Sequence, residues 1–328
     1  MTERKLRSPA VSIVITTHNR SEMAQRAIES ALNQSIRDVE VLVVDDGSER
    51  PFEPQTSDKR VSVIRLTESR GVCGARNAGL AAARGEWVMF LDDDDEIIPE
   101  MLEISLRAAT GSTLPRPVAV LSGLEIVRPD GSLEATNLPV TLPKGGHYLL
   151  EPKPKGQHFN VYNTLLVPRD VLESLGGFDE LLRSWVHAEL FLRLNPTCSL
   201  QGVPLVTYRI NRHHGEHVHS DSLGAAQSLE RTITKHRAVF EDHPSGYSRL
   251  LCLMAGAYLR AGRWWPAVRA STRALLITPL KWRVVRTWVV SLLGPRAIRR
   301  ATDRDEAPRG AWRAARKRSI TDAQGPEA

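Results

Sequence analysis

Cysteine is scarce in this chain. The three present, Cys73, Cys198 and Cys252, lie far apart and form neither a CxxC pair nor a zinc-ligand spacing. That excludes a disulfide framework and suits a reducing compartment, with the thiols acting as small buried hydrophobes. No stretch reaches the ~18 uninterrupted apolar residues that a membrane-spanning helix needs. Met1 to Ser8 is polar and the apolar stretch Val11 to Ile15 is short, so no secretory signal is expected at this N-terminus. The glycine patterns GxGxxG and GxxxxGK[ST] are also missing, which removes the main support for a dinucleotide-binding or P-loop protein.

What is present describes an ordinary folded protein. The 328 residues are 41% hydrophobic and 25% charged, enough to bury a core without disulfide or metal staples. The length favours one large domain with an extension, or two domains. The net charge of +6 is uneven: residues 281–318 hold twelve Lys or Arg against Asp303, Asp305 and Glu306. That excess of nine exceeds the net charge of the whole chain. A basic segment of this kind suggests an anionic partner, a membrane surface or nucleic acid.

The first hundred residues alternate between two patterns. Val11–Ile15, Val39–Val44, Val61–Leu66 and Trp87–Leu91 are short apolar runs rich in β-branched residues, as buried parallel strands are. Between them lie helical segments. One has Met23, Ala27, Ala31 and Leu32 on one face, with Asn19 or Ser21 as its cap. Another runs from Ala75 to Arg84, opened by Gly71 and closed by Gly85, and a third starts at Pro99. Such alternation predicts an α/β fold, an open and mostly parallel sheet covered on both faces. Ligands then bind beyond the carboxyl ends of the strands, so the polar segments after the first, second and fourth strands should face one crevice. Further on, Val118–Val127 reads as a strand before a turn at Asp130-Gly131, Pro152–Gly156 as a loop and Val203–Ile210 as a last strand. An all-helical region follows, with Leu251, Met254, Tyr258, Ala267 and Ala274 at helical spacing. The expected domains are 1–225 and a helical extension, 226–328.

Three segments carry chemistry. Asp92-Asp93-Asp94-Asp95-Glu96 sets five acids at a strand end. Either they hold a hard divalent cation, Mg²⁺ or Mn²⁺ with substrate phosphates in its shell, or they form a solvated loop before the next helix. Asp45-Asp46-Gly47-Ser48 ends the second strand with a carboxylate that can meet a base or ribose, and is also ordinary turn chemistry. Gly71-Val72-Cys73-Gly74-Ala75-Arg76 offers a helix N-terminus flanked by Arg70 and Arg76, which favours a diphosphate, although its glycines also suit helix–sheet packing.

Together with "IVITTHNR" at the first strand, "GEWVMFLDDDD" from Gly85 and "GGFD" at Gly176–Asp179, these segments resemble the family 2 glycosyltransferases over residues 10 to 215. The resemblance implies a nucleotide-sugar-binding domain of the GT-A type and an inverting transfer from a nucleotide-diphosphate sugar. It implies that Thr16, Asn19 and Asp46 line the nucleoside pocket, that Asp92 and Asp94 form the metal-binding DxD element with Asp94 the direct ligand, and that Arg76 lies near the donor. It further implies cytoplasmic work at the inner face of a membrane, on a glycan or lipid-linked acceptor in polysaccharide or cell-envelope synthesis. His213, His214, His217 and His219 stand where family members often have a histidine near the metal or diphosphate; a solvated loop is the alternative.

One departure stands out. After "GGFD" the family has an acidic pair whose second member is the general base, and this chain keeps the frame but reads Val186-His187. An imidazole with its ordinary pKa of about 6.5 could serve, giving a rate that rises through pH 6–7. Glu189 is the nearest alternative base, two residues on along a helix and pointing elsewhere. A non-catalytic sugar-nucleotide-binding protein is the rival from another class. In the tail, Tyr258, Gly262, Ala267, Ala274 and Pro279 resemble one tetratricopeptide-like hairpin. A following apolar face (Leu280, Val284, Trp288, Leu292) with Trp282 and arginines nearby suits either core packing or peripheral membrane contact through 280–318. The lack of a nucleic-acid-binding motif weighs against nucleic acid.

Overall fold

The computed structural model describes residues 8–148, 150, 162–212 and 221–293. It divides into two compact units, Met1–Ser220 and Asp221–Ala328.

In the first unit, β1 (Val11–Thr17), β2 (Val39–Asp45), β3 (Val61–Arg65) and β4 (Trp87–Asp92) pair in parallel in the order β3-β2-β1-β4. Every residue of β2 and all but one of β1 are buried. Each valine or isoleucine there contributes roughly 1.5–3 kcal/mol on leaving water. Helices α1 (Ser21–Leu32) and α2 (Gly71–Ala82) connect the strands. Short β5 (Asp95–Ile97) follows the acidic run, then α3 (Met101–Gly111), β6 (Val118–Val127) and β7 (Leu133–Asn137). A 3₁₀ turn at Tyr162–Thr164 leads into β8 (Leu166–Pro168), α4 (Arg169–Ser174), α5 (Val186–Thr197) and β9 (Ser199–Asn211). The sheet continues from β4 through β8, β6 and β9 to β5. In this half β6–β9 is parallel, and β4–β8, β6–β8, β6–β7 and β5–β9 are antiparallel. The alternating part of the sequence thus forms the parallel half, and the less regular part forms the mixed half.

Register decides where the functional side chains go. Thr16 lies opposite both Val44 of β2 and Asp92 of β4, and Thr17 lies opposite Asp45. The ends of β1, β2 and β4 therefore converge at one rim, as the alternation predicts.

Several local expectations are corrected. Neither Asn19 nor Ser21 caps α1; Arg20 holds that position without a side-chain bond. Asn19 has φ 56° and spends its groups on the next loop, its N–H donating to Ser48 Oγ and its Oδ1 accepting from Glu49 N. Gly85 does not close α2, which ends at Ala83 in extended conformation. It is needed for close approach, because a Cβ there would lie 2.5 Å from the Ser12 nitrogen. Pro99 precedes α3 by two residues.

The second unit is helical throughout its described residues: α6 (Ser222–Lys235), α7 (Arg237–Glu241), α8 (Pro244–Arg260), α9 (Trp264–Ile277) and α10 (Trp282–Leu292). Leu251, Met254, Tyr258, Ala267 and Ala274 are buried. α8 and α9 form a hairpin turned at Gly262, φ +71°. The apolar face expected on α10 divides. Val284 and Ser291 are buried and Trp288 donates its indole N–H to Thr272, whereas Leu280 and Leu292 are exposed. Residues Pro152–Gly156, the four histidines at 213–219 and the basic tail beyond 293 lie outside the described residues.

Candidate functional site

The rim where β1, β2 and β4 end is organised by one guanidinium. Arg76 projects from α2 and its side chain is almost fully buried. Its Nη2 donates to Asp92 Oδ1 at 2.6 Å and its Nη1 lies 3.1 Å from His187 Nε2. The same group lies 5.3 Å from the ring centre of Phe178 and 5.9 Å from that of Phe90, a favourable seat for a cation. The four partners come from β4, the loop after α4 and α5. A guanidinium can only donate, so His187 Nε2 accepts and the proton of the neutral ring sits on Nδ1.

His187 stands in the first turn of α5, whose N-cap Trp185 holds φ 61°. Trp185 and Asn19 are the non-glycine residues of positive φ among those described, and both belong to loops at this rim, where backbone strain commonly collects. Loss of hydration and then the Arg76 charge push the His187 pKa down to about 3, against the pull of Asp92. This corrects the expected titration near 6–7. In the ligand-free protein the imidazole is neutral throughout pH 5–8.

The acidic run is partly neutralised by the protein itself. Asp92 accepts from Arg76 and, at 2.9 Å, from Asn163 Nδ2. Burial raises its pKa, but the guanidinium, His187 and Asn163 outweigh that and hold it below the ordinary value. Asp93 accepts from Thr17 Oγ1 at 2.8 Å, and Arg20 reaches Asp93 and Asp94 at 3.3 Å each. Burial, with Asp94 and Asp92 adding to it, raises Asp93 to about 6. Asp95 is raised well above its ordinary value by the same causes, burial first, although Tyr208 Oη donates to it at 2.8 Å. Asn211 donates to Asp95, to Glu96 and to the Asp94 carbonyl.

Among the described residues no group of three or more His, Cys, Asp or Glu is arranged to hold a metal ion. Asp92 and Asp94 are nonetheless the run's two part-exposed aspartates, with side chains 31% and 29% accessible. Two hard-oxygen carboxylates fit Mg²⁺ or Mn²⁺ when substrate phosphates complete the shell.

Asp46 has a role its position in the sequence did not foretell. It is buried, and its carboxylate accepts from Ser69 Oγ (2.7 Å), Arg70 N (2.7 Å) and Gly71 N (2.9 Å). It ties the loop after β2 to the start of α2. Gly47 makes this approach possible: φ is +69° and a Cβ would lie 2.6 Å from Ser69 N. Its neighbour Asp45 is fully buried. Burial would raise it, but Ser48, Phe52 and Arg65 hold it lowered. Thr16 is half-buried at the end of β1, and Asn19 is exposed beside it.

Glu189 is withdrawn as an alternative base. It is fully buried, and Arg193 binds both its oxygens at 2.9 and 2.7 Å while also donating to the carbonyls of Leu175 and Gly177. The pair staples α5 to the loop after α4. Asn163, Tyr208, Asn211 and Arg20 were not singled out from the sequence. Only Arg20, inside the "THNR" segment, carried a signal that could have found it.

Two predictions follow from these contacts. Glu189→Ala leaves Arg193 as an uncompensated charge and should cost about 3–5 kcal/mol in urea denaturation; an unchanged midpoint would contradict the staple. Asp93 has a folded pKa above its unfolded one, so its contribution to stability falls as pH rises from about 4 to 6. Asp93→Asn should then raise stability by roughly 1–3 kcal/mol at pH 7.5 in metal-free buffer and little at pH 4. Equal effects at both pH values would count against the raised carboxyl.

Comparison with known proteins bears on this rim. The model of the family described as "Glycosyl transferase family 2" matches residues 12–113. The succinoglycan biosynthesis protein ExoO of Rhizobium meliloti is 40% identical over 126 residues, which is 38% of this chain and 35% of that protein. Hyaluronan synthase of Pasteurella multocida is 28% identical over 225 residues, 66% of this chain and 22% of that one. The crystal structure of S. aureus TarS 1-349 in complex with UDP-GlcNAc superposes with a TM-score of 0.53 at 18% identity, covering 89% of this chain and 92% of that one. That superposition shows a shared, GT-A-like fold. The match to ExoO, like that to the putative glycosyltransferase EpsH of Bacillus subtilis, spans about a third of the relative's length, 35% and 33%.

Proposed function

We propose, from the premise that residues 12–113 of this chain belong to glycosyl transferase family 2, that the protein transfers a sugar with inversion from a nucleotide-diphosphate donor to an acceptor hydroxyl. The observation that carries the reading is the meeting of Arg76, Asp92 and His187 at the carboxyl ends of parallel strands. There a carboxylate, a guanidinium and an imidazole share one hydrogen-bonded group, which supports roles for them in holding a cation, a diphosphate and a proton.

In this reading the 1–225 region carries the reaction and 226–328 is a helical extension. Thr16 and Asn19 line the nucleoside pocket. Asp46 acts there through its carboxylate and by holding Ser69 to Gly71, so that the α2 N-terminus and Arg70 face the diphosphate. Asp94, with Asp92, would hold Mn²⁺ or Mg²⁺, which when bound neutralises charge on the departing diphosphate. Arg76 adds a second positive group for that charge. His187 occupies the base position. Its Nε2 lone pair is engaged by Arg76, so it can accept the acceptor's proton only once the diphosphate draws the guanidinium away.

The acceptor is proposed to be a glycan or lipid-linked sugar in polysaccharide or cell-envelope synthesis, and the site of work the inner face of a membrane. The named activities of the relatives support that class. The contact proposed is peripheral; no helix among the described residues is long and apolar enough to cross a membrane.

Sugar-transfer and donor-hydrolysis assays with a panel of nucleotide sugars test the reading. Wild type should turn over at least one donor, and EDTA or Asp94→Ala should abolish this with the fold intact; full activity in either condition would overturn the metal role. His187→Ala should lower turnover about 10²–10⁴-fold with donor affinity kept. Because the ring of the free protein is already neutral, kcat/KM, which reports the ionisations of the free enzyme, should not titrate with His187 between pH 5 and 8. A His187→Ala enzyme of normal rate would remove the imidazole from the reaction.

A further inference from the structure

The helical unit carries a feature that the transfer reaction does not use. From His243 to Leu293 the chain has eight Lys or Arg and not one Asp or Glu. Within that stretch the turn between α9 and α10 and the outward side of α10 leave large apolar side chains in water: Leu276 (80% accessible), Leu280 (97%), Trp282 (71%), Val289, Leu292 and Leu293 (64%). On α10 they follow helical geometry. Positions 282, 289 and 293 stack on one side, opposite buried Val284 and Ser291. Arg283 and Arg286 are exposed at the edge of this stripe. The two tryptophans of α10 have separate tasks: Trp288 is tied to Thr272 of α9, and Trp282 projects outward.

We propose that the outward stripe of α10 and the α9–α10 turn form a docking surface for an anionic lipid bilayer. An amphipathic helix with an aromatic and aliphatic face bordered by arginines lies in the plane of a membrane interface, its apolar side chains among the acyl chains and its cations at the headgroups. Charge excludes the obvious alternative. A second copy of this chain would bring the same acid-free surface, and a symmetric contact would set cation against cation. Nucleic acid would satisfy the arginines but leave the leucines and Val289 without an apolar partner. The inference rests on the membrane-face location proposed above, and not on the transfer reaction.

Sedimentation of the full chain with vesicles tests it, using phosphatidylcholine alone and phosphatidylcholine mixed with phosphatidylglycerol. The protein should bind the anionic vesicles, release as salt is raised, and leave neutral vesicles largely unbound. Leu280→Glu with Val289→Glu, and separately Arg283→Ala with Arg286→Ala, should each weaken binding about tenfold or more. Thermal midpoint and nucleoside-diphosphate affinity should stay unchanged in both, which separates loss of docking from loss of the catalytic reading. Any of four results would overturn the proposal. These are no binding to anionic vesicles, equal binding to neutral ones, full binding by both variants, or a dimer or duplex-DNA complex that forms through this face in preference to vesicles.

Discussion

The site depends on a buried cation shared by two acceptors. Arg76 is held by a charged hydrogen bond to Asp92, a neutral one to His187 and the faces of two phenylalanines. Removing any partner would leave a guanidinium that water scarcely reaches, and such a group is costly to strand. The contact also sets the chemistry of what surrounds it. It lowers the Asp92 carboxyl, adds to the burial that keeps the imidazole neutral and, because a guanidinium only donates, places the ring hydrogen on Nδ1.

Around that pivot the acids are graded by their surroundings. Asp92 and Asp94 keep one side open to solvent, while Asp93 and Asp95 are buried and raised by burial and by their neighbours. The four aspartates of the run are therefore two carboxylates presented outward, Asp92 and Asp94, on a bed of two buried ones, with Glu96 part-exposed at its end. Thr17, Asn163, Tyr208 and Asn211 donate hydrogen bonds to that bed. The pairing of β5 with β9 delivers Tyr208 and Asn211 to it.

This arrangement was legible in part. Strands β1, β2 and β4 could be read because parallel strands buried on both faces need unbroken β-branched runs, and their polar ends had to share a rim. Asp92, Arg76 and His187 could be named, but their mutual contacts span 16 and 111 residues of chain. The lowered pKa of His187 is not legible in sequence, because burial and the Arg76 charge are properties of the fold and not of the residue. Local rules failed where tertiary contacts took over. Asn19 and Gly85 looked like helix caps, yet one serves the neighbouring loop and the other makes room beside Ser12. Asn163 carries no motif at all, since it reaches Asp92 only through the β6–β8 half of the sheet. On α10, periodicity described an apolar face but could not say which side would find a partner.

The contact between Arg76 and His187 can be observed directly. Nitrogen-15 NMR of histidine-labelled protein reports which ring nitrogen carries hydrogen and at what pH the ring gains a second proton. The geometry predicts hydrogen on Nδ1, an unprotonated Nε2, no titration between pH 5 and 8, and a change in the Nε2 signal when a nucleoside diphosphate with Mn²⁺ draws Arg76 away. A ring with hydrogen on Nε2, or one that titrates near its ordinary value of about 6.5, would contradict the shared guanidinium on which this account of the site is built.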